Sequence, residues 1–124
     1  MNTLLIFIGA GLGGVLRFWI SNGVYYLLGR QFPYGTLVVN TTGSFLMGVL
    51  FVLLVERFNG SGPQLRSLLL IGFLGGYTTF SSFSIETLNL FESGAWVSGF
   101  LNILLSVVLC LLFVWIGVLG ARQL

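Results

Sequence analysis

This sequence predicts an all-α integral membrane protein with four transmembrane helices, and three observations carry that expectation. Hydrophobic residues fill 56% of the 124 positions and charged residues only 6%, where a soluble domain has roughly 25% charged. The mean hydropathy is +1.05. Four apolar runs, at about 3–28, 34–55, 65–91 and 96–119, each supply the ~20 residues that a helix needs to cross the hydrocarbon core. The links between them are too short for a soluble domain, so residues 1–124 are expected to form a single membrane domain.

The first run is apolar almost from Met1, without a basic leading segment or a small-residue cleavage site, and is expected to stay as a span. Gly9 and Gly13 sit four apart, a spacing that lets helices approach closely in lipid. Gly29 to Pro33 ends that run. The second run carries Asn40 well inside it, with Ser44 one turn on. Such an amide is either glue between helices or a hydrogen-bond donor to a passing solute. The link expected over Glu56 to Gln64 contains the turn sequence Asn59-Gly60-Ser61-Gly62-Pro63.

The third run has a second small pair, Gly72 and Gly76, and then departs from the others. Residues 75–84 read Gly-Gly-Tyr-Thr-Thr-Phe-Ser-Ser-Phe-Ser. Glycine supplies backbone conformations that other residues resist, and irregular backbone at membrane depth survives only where it faces protein or a wet cavity. A break in the third helix is expected here. A short link around Glu92 to Ala95 leads to the fourth run, which holds Asn102 and Ser106 four apart and Cys110 among leucines as a packing residue. Trp19, Tyr25, Tyr34, Trp96 and Trp115 fall partly towards span ends, where amphipathic rings anchor among headgroups.

The charged residues are five arginines and three glutamates, and there is no histidine. With one cysteine besides, the chain cannot build the common zinc sites or a Ser-His or Cys-His pair, and it is not expected to be an enzyme. A scattered net charge of +2 offers no basic stripe for nucleic acid. Four spans put Arg57, Arg66 and Arg122 on one side and Arg30 on the other, which leans towards a cytoplasmic N-terminus. Arg17 lies within the first span and counts towards either face. The bias is small enough for insertion both ways, and two opposed copies would pair about an axis in the membrane plane.

Phe80 and Phe83 lie three apart, and on a helix Ser84 and Thr87 continue their face. Two such rings are ordinary lipid or core contacts. Lipid contact does not explain Thr78, Thr79, Ser81, Ser82 and Ser84 within seven positions, although hydroxyls can bond to the preceding turn. A phenyl edge is electropositive yet dry, which suits a small anion, and Asn40 would add an amide donor. Arg17 is either an interface anchor or a source of positive potential at an aqueous vestibule. Glu86 either pairs with an arginine or caps a polar network.

Gly9 to Phe18 with Arg17, the segment Gly35-Thr36-Leu37-x-x-Asn40, and Gly72 through Ser84 together resemble the Fluc (CrcB) family of small bacterial fluoride channels, over essentially the whole chain. The resemblance implies an antiparallel, dual-topology homodimer in the bacterial inner membrane, exporting fluoride passively from the cytoplasm and so reducing its toxicity. Phe80 and Phe83 would form the aromatic part of each pore, Asn40 its amide, and Ser81, Ser82 and Ser106 a polar track. Backbone carbonyls of Gly75 and Thr78 would hold a structural sodium ion at the dimer centre. Two positions depart from the family pattern: Ser82 is usually threonine, and Tyr77 is commonly smaller or aliphatic. Two other classes compete. A small multidrug-type proton-coupled antiporter needs a carboxylate in the first span, which has none. A non-transporting membrane assembly subunit explains the glycines but leaves the hydroxyl run without a role.

Overall fold

The computed structural model describes residues 2–57 and 62–124. Helix α1 spans Asn2–Leu28, α2 spans Tyr34–Arg57 and α5 spans Trp96–Arg122. Between α2 and α5 the stretch Gly62–Glu92 is wound as α3, residues 62–77, and α4, Ser81–Glu92. Among the described residues four stretches are thus long and apolar enough to cross a membrane, as the hydropathy pattern predicts, and this is a membrane protein.

The helix ends have local causes. Gly29 closes α1 with φ at +88° and donates its N–H to the Tyr25 carbonyl at 2.8 Å, a left-handed cap that glycine alone adopts without strain. After α4, Gly94 has φ at +84°, with Ala95 N–H to Leu90 O at 2.8 Å and Gly94 N–H to Phe91 O at 3.1 Å. This Schellman pair turns the chain into α5 within three residues.

The link expected over Glu56 to Gln64 is shorter than its sequence implies. Glu56 and Arg57 end α2, and Gly62 to Gln64 begin α3. Asn59, Gly60 and Ser61 lie outside the described residues. Pro63 is tolerated in the first turn of α3, where the backbone amides lack helical partners anyway. At their shared end the polar residues of α2 and α5 meet. Arg122 grips both oxygens of Glu56, at 3.1 and 2.8 Å, and Arg57 donates to the Arg122 carbonyl at 2.6 Å.

α1 lies along α3, and α2 along α5. Where they touch, backbones meet. A methyl on Gly13 would strike the Phe73 carbonyl, one on Gly76 the Ala10 backbone, and one on Gly48 the Val114 carbonyl. Lipid offers no hydrophobic drive between helices, so such close approach is what holds them together. Gly11 and Gly14 have open space instead and do not serve packing within the chain. Gly13→Ala is expected to cost about 1–3 kcal/mol through overpacking, seen as a lower unfolding midpoint in detergent. Gly23→Ala, in open space, should not lower it.

Val39, Leu74 and Tyr77 form the buried centre, with Leu16, Leu70 and Phe73 among the side chains packed around it. Tyr77, the departure from the family pattern, stacks on Phe73 with ring centres 6.2 Å apart and shares a 2.8 Å hydrogen bond with the Thr42 hydroxyl. It fills the space just before α3 ends.

Candidate functional site

α3 ends at Tyr77, and Thr78 is extended, with φ −84° and ψ 159°. Asn40 on α2 holds the next residue by both backbone groups. Its Nδ2 donates to the Thr79 carbonyl, and its Oδ1 accepts the Thr79 N–H, both at 2.8 Å. The Thr79 hydroxyl in turn accepts the Ser82 N–H at 3.1 Å, capping the start of α4. In a continuous helix the Thr79 and Ser82 amides would close on the carbonyls of Gly75 and Thr78. Here both amides point to side chains, so those two carbonyls lose their helical partners.

Beside this clasp a groove of about 480 Å³ lies between α2, the segment 78–80 and α5. Asn40, Thr78, Phe80, Phe83 and Ser106 line it, and no lining side chain is charged. The two phenyl rings are tilted by 44°, with centres 5.3 Å apart. Phe80 is 78% exposed, so one flank of the groove is open. An amide nitrogen carries two hydrogens, and the Thr79 carbonyl takes only one from Asn40. Cys110, read from sequence as packing among leucines, is half-buried and lines the groove as well.

Ser106 belongs to a hydrogen-bonded line behind the rings. Its hydroxyl reaches Asn102 Oδ1 at 3.4 Å, Asn102 donates to Thr87 Oγ1 at 2.9 Å, and Thr87 donates to the Phe83 carbonyl at 2.7 Å. Ser84 bonds the Phe80 carbonyl at 2.8 Å and lies exposed outside the groove. Phe80, Phe83, Ser84 and Thr87 do follow one another at helical spacing, but of the four only the two rings line the groove.

Ser82 and Arg17 face a different space, a chamber of about 120 Å³ that also touches Thr79, Thr36 and Glu86. Thr79 borders both groove and chamber. Arg17 finds an oxygen partner inside the protein, since its Nε donates to the Gly76 carbonyl at 3.2 Å. Ser81 is exposed and lines neither space, with its hydroxyl 3.3 Å from that of Thr79. Gly75 is exposed with open space around it.

Glu86 caps a polar network. Tyr25 donates to its Oε2 at 2.9 Å and Thr36 to its Oε1 at 2.6 Å. Tyr25 is thus half-buried with its hydroxyl engaged inside the protein, whereas Trp19, Trp96 and Trp115 are exposed as anchors would be. Tyr25 and Thr36 were missed from sequence. The only signal was Glu86 itself, a carboxylate within a span that needs donors.

Residues 4–118 match the family model described as CrcB-like protein, Camphor Resistance (CrcB). A protein of Coxiella burnetii named fluoride-specific ion channel FluC is 62% identical over 124 residues, covering all of both chains. One of the same name in Methylococcus capsulatus is 52% identical over all of this chain and 54% of its own length. Another, in Magnetococcus marinus, is 48% identical over 98% of each.

Proposed function

Because the chain belongs to the CrcB-like protein family, we propose that it is a fluoride channel, letting the ion leave the cytoplasm of a bacterial cell down its electrochemical gradient. The observation that carries this reading is the uncharged groove that joins Asn40, Phe80, Phe83 and Ser106 at the end of α3. Fluoride is small and strongly hydrated, so a path must replace its water with donors without holding it. A lysine or arginine in the wall of the groove itself, where the ion has shed its water, would hold it too tightly. Ring edges and neutral donors bind weakly enough for release, as conduction requires. Arg17, set apart in the chamber with Ser82, raises the local potential on the approach, and Ser81, outside both spaces, would add a polar step only through its hydroxyl beside that of Thr79.

One protomer supplies only an open-flanked groove, with Phe80 exposed upon it. A second copy inserted in the opposite direction completes the wall, making an antiparallel homodimer in the inner membrane. The carbonyls of Gly75 and Thr78, deprived of their amides by the Asn40 and Thr79 side chains, suit a hard cation, which prefers oxygen ligands. These two residues would hold a sodium ion, which supplies a fixed positive charge at the centre of the assembly when bound.

Liposomes loaded with potassium fluoride test the reading. Reconstituted protein is expected to release fluoride to an electrode once valinomycin balances charge, and to retain chloride under the same conditions. Impermeability to fluoride would overturn it, and proton-coupled uptake of an organic cation would replace it with an antiporter. Exchanging sodium for N-methylglucamine should lower the unfolding midpoint of the assembled protein. An unchanged midpoint would remove sodium from the proposal.

A further inference from the structure

We propose that Tyr25 is a positioning residue of the fluoride path, holding the Glu86 carboxylate away from the Arg17 guanidinium so that an anion can occupy the chamber between them. The inference rests on the channel reading. It starts from an apparent contradiction, a carboxylate on an anion's route. Glu86 borders both the chamber of about 120 Å³ with Arg17 and Ser82 and an outer pocket of about 380 Å³ with Arg30. Among the described residues only Tyr25 and Glu86 are shared by the two spaces.

A carboxylate free to turn in so small a space would pair with Arg17. In a medium of low dielectric that attraction is strong, and it would cancel the positive potential that draws fluoride inwards. The structure prevents this by engaging both oxygens, Oε2 with Tyr25 and Oε1 with Thr36. Hydrogen bonds to an ionised carboxylate are the strong kind, and these two come from different helices, α1 and α2. Arg17 makes its own bond to Gly76 through Nε and not through its terminal nitrogens.

Tyr25 is placed as a fixed post and not as a swinging door. The Arg30 guanidinium lies over its ring, 4.7 Å from the centre. On another side Gly35 approaches so closely that a Cβ there would sit 2.5 Å from Tyr25 Cε2. Ring and hydroxyl are therefore both held, which is what aiming a carboxylate requires. A door would need room to move.

Tyr25→Phe removes one oxygen and keeps the ring contacts with Arg30 and Gly35. In liposomes whose wild-type control conducts, this variant is expected to lose about tenfold in fluoride efflux, ~1.4 kcal/mol of added barrier. Adding Glu86→Gln should restore most of the loss, because a neutral amide does not pair with Arg17. Thr36→Val, which frees the other oxygen, gives a second arm with the same expected loss and the same rescue, should Tyr25→Phe fail to assemble by size-exclusion chromatography. Efflux unchanged or raised in the single variants overturns the inference. So does a loss that Glu86→Gln does not rescue, the pattern of a merely structural contact. A wild type without fluoride efflux fails the channel reading instead, so the two failures are distinguishable.

Discussion

Replacing Phe80 or Phe83 by isoleucine is expected to depress fluoride efflux by about 100-fold, ~2.7 kcal/mol of added barrier, while the protein still purifies in its usual assembly. Isoleucine keeps the groove apolar and dry, so the change isolates one property, the electropositive ring edge. Structural damage is a poor rival explanation for Phe80, which is 78% exposed and contributes little to the packing of its own chain. Phe83 is half-buried, and the cavity left by the smaller side chain lies on the open groove, where little else depends on it. The rings sit 5.3 Å apart, close enough that an ion leaving one is already near the other. Losing either should therefore interrupt the path and not merely slow entry. Efflux at the wild-type rate in both variants, measured by fluoride electrode, would remove the rings from the mechanism.

Hydropathy made the helices legible because lipid imposes one requirement on every span. The functional stretch was legible for the opposite reason, since Gly75 through Ser84 breaks that requirement where breaking it is expensive. What could not be read was the direction in which each residue faces. The stripe from Phe80 through Phe83 to Ser84 and Thr87 keeps its helical phase, because the break lies before Phe80, but its two hydroxyls bond the preceding turn of backbone and only its rings reach the groove. Ser82, off that stripe, borders the chamber while its neighbour Phe83 borders the groove. At the end of α2 Glu56 meets Arg122, 66 positions away, and the role of Tyr25 depends on meeting Glu86, 61 positions away. Pairings at that distance leave no local pattern. They appear only when helices are packed, and here glycine contacts between backbones decide the packing.

Asn40→Leu is expected to produce a loss of fluoride efflux as deep as that of the ring variants, about 100-fold, together with a lower unfolding midpoint that they do not show. Asn40 satisfies both backbone groups of Thr79, which is half-buried, and a group left without a partner there costs up to about 1–3 kcal/mol, the figure for full burial. Leucine matches the asparagine in size but offers neither donor nor acceptor. The chain can recover one bond by closing the helix, returning the Thr79 N–H to the Gly75 carbonyl. Closure would carry Phe80 out of the groove and recapture an oxygen assigned to sodium. The variant should therefore lose the sodium dependence of its unfolding midpoint as well as its conduction, whereas Phe80→Ile should keep that dependence. Normal efflux, or a full sodium response, in Asn40→Leu would mean that the end of α3 stands open without its clasp.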